Sequence, residues 1–164
     1  MRFAEIATAA LLVDTATLGI LQATGYGGRQ VRQWYKTLGA SAYAMDVLSL
    51  IIGAYVAQLI APDTLWKQLV AVLFVQMAHD LAFGWFVSSK HARGPLMRLF
   101  RSYAREMGVK ILIADAVMML ATVFVAHRIL RFDRQNPHEN PQSDWLAFVA
   151  SVTSYVGLLL VHSV

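Results

Sequence analysis

The chain has no cysteine among its 164 residues. That removes disulfide frameworks, zinc–thiolate and iron–sulfur ligation and cysteine nucleophiles together, and leaves any chemistry to oxygen and imidazole groups. Charge is scarce too, at 15% of residues, where an ordinary soluble domain carries about a quarter. In its place stands 57% hydrophobic residues and a mean hydropathy of +0.51, so water is not the main solvent expected for this protein. The net charge of +4 does not point to nucleic acid, because the basic residues cluster at the ends of apolar runs, where membrane orientation and anionic lipid account for them.

Crossing about 30 Å of hydrocarbon takes roughly 20 mostly apolar residues. Five such runs are present, over about 3–24, 40–61, 66–88, 109–130 and 145–164. A backbone in lipid must satisfy its own N–H and C=O groups, and no barrel-like alternation is visible, so each run is predicted to be a helix. The expected fold class is all-α: one polytopic transmembrane helical bundle of about five spans, with residues 1–164 forming a single domain. The first run carries Glu5 and Asp14, but its length and the absence of a clean cleavage signal argue for a retained span over a leader.

The breaks carry information of their own. Residues 25–39 hold the Gly-rich turn Gly25-Tyr26-Gly27-Gly28 and then a basic, aromatic stretch with Arg29, Arg32, Trp34, Tyr35 and Lys36. Pro62-Asp63-Thr64 is short enough to force an antiparallel hairpin between spans two and three. Residues 131–144 read as a polar, solvated connector. Between spans three and four, Leu96, Leu99, Phe100, Tyr103 and Met107 recur at helical spacing while Arg98, Arg101 and Arg105 line another face. This predicts an interfacial amphipathic helix over about 95–107, its three arginines on anionic lipid headgroups. All four tryptophans, Trp34, Trp66, Trp85 and Trp145, fall at run ends, as in an aromatic belt.

Nine Lys and Arg flank the first and third connections (Arg29, Arg32, Lys36, Lys90, Arg93, Arg98, Arg101, Arg105, Lys110) and five the opposite side (Arg2, Lys67, Arg128, Arg131, Arg134). The positive-inside tendency therefore predicts an outer amino terminus and an inner carboxyl terminus.

Four aspartates, Asp14, Asp46, Asp80 and Asp115, lie within four different runs. An ionisable side chain in hydrocarbon costs about 2.5–3.5 kcal/mol even on lenient insertion scales, so they are expected to face the bundle interior. Counted from the basic side, Asp46 and Asp115 are about six residues in, Asp80 about eight and Asp14 about ten, a spread of about 6 Å at 1.5 Å per residue. They are predicted to form one polar layer. Gln76, His79, Asp80 and Phe83 share a helix face and extend it, with Thr17 and Ser49 beside it and His162 approaching the same side.

Three functions fit such a layer. The leading expectation is that the groups bond one another, helix backbones or arginines and fix helix packing in a structural or membrane-complex component, alone or with other subunits or copies. They could carry protons or cations in a small channel or carrier. Least expected is an enzyme, which would need a metal, and if one is held its ligands would be His79, Asp80, Asp46 and Asp115. No other cofactor is expected. A faint duplication is also visible, Lys36, Gly39 and Asp46 being spaced like Arg105, Gly108 and Asp115.

The runs WYKTLGASAYAMDVLSLIIG at 34–53, FVQMAHDLAFGWFV at 74–87, RLFRSYAREMG at 98–108 and ILIADAVMML at 111–120 resemble a set of multi-span membrane proteins of giant (nucleocytoplasmic large) DNA viruses. Their pattern has a Gln-x-x-His-Asp helix, a Pro-Gly turn, a Tyr-Ala-x-Glu-x-Gly segment and an Asp-containing helix; here Gly94-Pro95 stands where that turn reads Pro-Gly. The resemblance brings no activity with it. It implies a component of a virion or host membrane and singles out Gln76, His79, Asp80, Tyr103, Glu106, Gly108 and Asp115.

Overall fold

The computed structural model describes residues 1–26, 28–62, 64–89, 93–135 and 142–163. Among these there are seven helices and no strand: α1 (Phe3–Thr24), α2 (Gly28–Leu38), α3 (Ala40–Ile60), α4 (Leu65–Ser88), α5 (Pro95–Met107), α6 (Val109–Gln135) and α7 (Gln142–His162). Five, namely α1, α3, α4, α6 and α7, contain stretches long and apolar enough to cross a membrane. The all-α multi-span architecture expected from hydropathy is therefore the one observed.

Two boundaries differ from expectation. Helix α6 continues past residue 130 to Gln135, and α7 begins at Gln142 rather than at 145. Phe132 meets Trp145 edge-on, ring centroids 6.0 Å apart, so an aromatic pair holds the two helix ends where a solvated connector was expected. The two prolines of that connector, Pro137 and Pro141, lie outside the described residues.

The larger difference is α2. The basic, aromatic stretch after the Gly-rich turn is a second amphipathic helix, packed against α3 and α5. Val31, Trp34, Tyr35 and Leu38 recur at i, i+3, i+4 and i+7 and form its inner face, with Val31, Trp34 and Tyr35 buried. Trp34 is thus not a belt residue: it lies against Phe100 of α5, centroids 5.0 Å apart.

Four spans form a ring in which α1 touches α3, α3 touches α4, α4 touches α6 and α6 touches α1. Helix α7 lies outside the ring against α1, α2 and α3. The centre of the bundle is the apolar, small-residue face of α1, where Ile6, Ala9 and Ala10 are fully buried with Ala54, Ala57, Val72, Val123 and Ala126 from the other ring helices. Small residues let helices approach closely where lipid offers no hydrophobic drive for association.

Polar pairs fasten the bundle at both ends. Gln68 of α4 meets His127 Nε2 of α6 at 2.6 Å and donates to Pro62 O at 3.2 Å. The first-turn Glu5 accepts from the Arg2 N–H at 2.6 Å, which explains an acidic residue at the start of a span. Gln22 of α1 donates to Leu160 O of α7, and Thr15 of α1 links to Tyr43 of α3 at 2.9 Å and donates to Thr153 O of α7 at 3.3 Å.

The order span, amphipathic helix, glycine, span occurs twice, as α1–α2–Gly39–α3 and α4–α5–Gly108–α6. Gly39 has φ 53°, ψ −130° and Gly108 has φ 51°, ψ −130°, a conformation that side chains with a Cβ avoid. Each glycine turns an interfacial helix sharply into a span whose aspartate comes seven residues later, Asp46 or Asp115. The duplication expected from three residues therefore extends over three helices in each half.

Two buried glycines should respond differently to substitution. A Cβ on Gly53 would meet only the flexible end of Met119, whereas one on Gly157 would meet the Tyr43 ring and its hydroxyl, which Thr15 holds in place. Gly157→Ala is expected to destabilise by about 1–3 kcal/mol and Gly53→Ala by less, as read from thermal unfolding of the purified protein in detergent.

Candidate functional site

A cavity of about 1390 Å³ occupies the half of the ring next to α2 and α5. Its wall includes Asp14 from α1, Asp46 from α3, Asp80 from α4 and Asp115 from α6, one carboxylate from each ring helix. Gln76, His79, Phe83, Thr17 and Ser49 line it as well. His162 does not line it: that residue is exposed at the carboxyl end of α7, on the side of α2.

The carboxylates do not bond one another, and they differ in how they are satisfied. Tyr35 Oη of α2 donates to Asp46 Oδ2 at 2.6 Å, reaching down from the interfacial helix. Asp80 Oδ1 accepts from Gln76 Nε2 at 2.7 Å, one turn earlier on the same helix, and stands 3.3 Å from His79 Nδ1. The His79 ring also stacks on Phe83, centroids 6.0 Å apart with an interplanar angle of 4°. Asp14 is 1% exposed, and its Oδ2 is buried without a hydrogen-bond partner. Gln76, 4% exposed, likewise leaves Oε1 buried and unpartnered. A buried acceptor left unmatched costs about 1–3 kcal/mol; two of the four such atoms among the described residues belong to this cavity, the others being Glu5 Oε1 and Gln58 Oε1 away from it.

The amphipathic helices roof this half of the ring. Trp34, Tyr35, Phe100 and Tyr103 face the cavity, and Phe100 meets Phe83 edge-on, centroids 4.9 Å apart. Burial pushes the Tyr35 phenol above its ordinary pKa, and the charges of Asp46 and Asp14 push it further the same way. Tyr103 is raised by burial and then by Asp115 and Asp46. Each half thus has a tyrosine of its amphipathic helix that feels its own aspartate, Tyr35 hydrogen-bonded to Asp46 and Tyr103 raised by the charge of Asp115. Both phenols remain donors.

The arginines of α5 divide. Arg98 and Arg105 are exposed. Arg101, expected on lipid phosphate with them, turns back to α4, its Nε donating to Val87 O at 2.8 Å and its terminal nitrogen to Ser89 O at 3.0 Å. The last carbonyls of a helix lack intrahelical donors, and a guanidinium fork suits them. Glu106 accepts from the Arg29 N–H at 3.1 Å and ties the two roof helices together.

One side of the cavity is open. From Met77 to Phe86 no residue of α4 is buried, and on α3 the wall residues Leu48 and Ile52 are 54% and 61% exposed. This half of α4 stands off from its neighbours. Among the described residues, no three His, Asp or Glu side chains come together closely enough to hold a metal ion. His79, Asp80, Asp46 and Asp115 share the cavity without sharing a ligation centre.

Of the seven positions singled out by the sequence resemblance, Gln76, His79, Asp80, Tyr103, Gly108 and Asp115 line the cavity, and Glu106 joins its roof helices. Comparison with protein-family models, curated proteins and solved structures found no match. The functional reading therefore rests on the site.

Tyr35→Phe removes the one hydroxyl donated to Asp46 and is expected to lower stability by about 1.5–3 kcal/mol. A phenol whose folded pKa is raised contributes stability that is complete below its unfolded value of about 10 and is lost as the pH rises beyond it. The variant should accordingly lose less stability than the parent between about pH 10 and 12, a difference measurable by thermal unfolding across that range.

Proposed function

We propose that this multi-span membrane protein is a small carrier that moves protons or cationic solutes through its acidic cavity. The observation that carries the reading is the placing of one aspartate from each of four ring helices on a common cavity, with Asp14 Oδ2 and Gln76 Oε1 buried there and unpartnered. Acidic groups on separate spans facing a shared space are the usual mark of a cation or proton path. The splaying of α4 beside the cavity gives a solute a way in.

A packing role in a membrane complex has its own support, because Asp46 and Asp80 are held by Tyr35, Gln76 and His79. Purified protein in liposomes separates the two. A carrier dissipates an imposed pH or cation gradient and loses that flux in Asp80→Asn and Asp115→Asn while both variants still fold. Absent flux in the parent, together with misfolding of the variants, supports packing instead.

The roof of α2 and α5 is proposed to lie in the cytoplasmic headgroup region, with Arg98 and Arg105 on anionic lipid. Nine Lys and Arg at that end against five at the other support this. As the chain has no cysteine, a single cysteine introduced at exposed Arg98 is the only thiol in the molecule. In intact cells an impermeant maleimide should leave it unlabelled until the membrane is opened, and prompt labelling would reverse the orientation.

A further inference from the structure

The cavity presents much more than a place for a bare proton. Its 1390 Å³ exceeds the few hundred to about 1,000 Å³ of ordinary small-molecule sites, and much of its wall is apolar, including Leu48, Ile52, Leu112, Met118 and Met119. At the level of the aspartates the wall carries carboxyls, the Gln76 amide, hydroxyls and the His79 imidazole but no lysine or arginine: the arginines that line the cavity, Arg93, Arg101 and Arg105, lie just before or within α5.

The unpartnered atoms narrow the chemistry. Gln76 must turn its amino group to the Asp80 carboxylate, which accepts only, so the side chain's orientation is settled by its partner and Oε1 is left as an acceptor. Asp14 Oδ2 is a second acceptor, and neither side chain is more than 4% exposed. What completes the site is a donor of N–H or O–H bonds, with positive charge to balance the carboxylates. Above it, Trp34, Phe83 and Phe100 form a chain of ring contacts at 5.0 and 4.9 Å that suits an apolar body or the flank of a cation.

We propose that the guest of this cavity is an organic ammonium ion bearing at least one N–H and an apolar body, its nitrogen on the acidic wall to which Asp14 and Gln76 contribute and its body toward the aromatic roof. A quaternary ammonium has the charge and the bulk but cannot satisfy either acceptor. A metal ion has the charge but no counterpart for the apolar wall. The ammonium is that of a soluble amine or of an aminophospholipid headgroup arriving beside α4, and the two sources share the same chemistry.

The inference rests on the cavity being a solute site, and its test separates the two. The full chain is placed in phosphatidylcholine nanodiscs, whose own headgroup is quaternary, and calorimetry follows titration with 2-phenylethylamine, its N,N,N-trimethyl analogue and sodium ion. The amine is expected to bind and the trimethyl analogue to bind about tenfold or more weakly, the factor that one charge-assisted hydrogen bond commands. Gln76→Met, which keeps the bulk and removes the acceptor, should narrow that ratio, and Asp14→Asn should weaken both ligands. If Asp14→Asn does not fold, Gln76→Met decides. Weaker amine binding in discs that contain phosphatidylethanolamine would identify the headgroup as the competing source, and unchanged binding the soluble amine. Equal affinity for the trimethyl analogue, displacement of the amine by sodium at constant ionic strength, or no amine binding at all would overturn the proposal. Flux that depends on Asp80 without amine binding leaves the carrier standing and removes this guest. Amine binding without any flux does the reverse.

Discussion

A carboxylate carried into a bilayer has to be neutralised, paired or kept away from lipid, and this chain carries four of them. At about 2.5–3.5 kcal/mol each, leaving all four against hydrocarbon would cost on the order of 10–14 kcal/mol, as much as the whole folding stability of many domains. The ring of four helices answers that constraint. Each helix is rotated so that its aspartate points to a common interior, and that rotation in turn decides which apolar residues meet lipid. Exposed hydrophobic residues of α3, α4 and α6 that do not line the cavity, such as Leu59, Leu81 and Ile113, are the outer side of the same arrangement.

The interior created in this way needs a cover, and the two amphipathic helices supply it. They are held in place from three sides: by glycine turns of matching geometry that lead into α3 and α6, by aromatic contact between Trp34 and Phe100, and by the Glu106 to Arg29 bond. Tyr35 also reaches into the interior to hold a carboxylate. Roof and acidic ring are thus one polar system, in which the interfacial residues satisfy part of what the spans expose. The two halves contribute equivalent parts in the same order, and the cavity lies where they face each other.

Most of this was legible in the sequence because membrane solvent is a severe filter. Spans of about 20 residues declare themselves by hydropathy, and the depth of each aspartate follows from helix rise alone, so a shared level could be read without coordinates. The missed element, α2, carried its signal in Val31, Trp34, Tyr35 and Leu38, but the glycines before it and the short length hid a helix held by tertiary contact more than by propensity. Nor could spacing tell that Arg101 would turn to the carbonyls of Val87 and Ser89, since a periodicity assigns a face and not a partner. The cavity itself was not legible at all. Aspartates at one level are equally compatible with closed, mutually bonded packing, and only the stand-off of α4 distinguishes the two.

Helix α7 gives that stand-off a mechanical meaning. It lies along α1, α2 and α3 and is joined to α1 through Thr153 and Leu160, so the amino-terminal half is buttressed by the fifth span. The other half leans chiefly on its partner half. The stretch of α4 that carries His79 and Asp80 lies in that other half, with no residue buried from Met77 to Phe86, so the acidic wall is most accessible where α7 gives no cover.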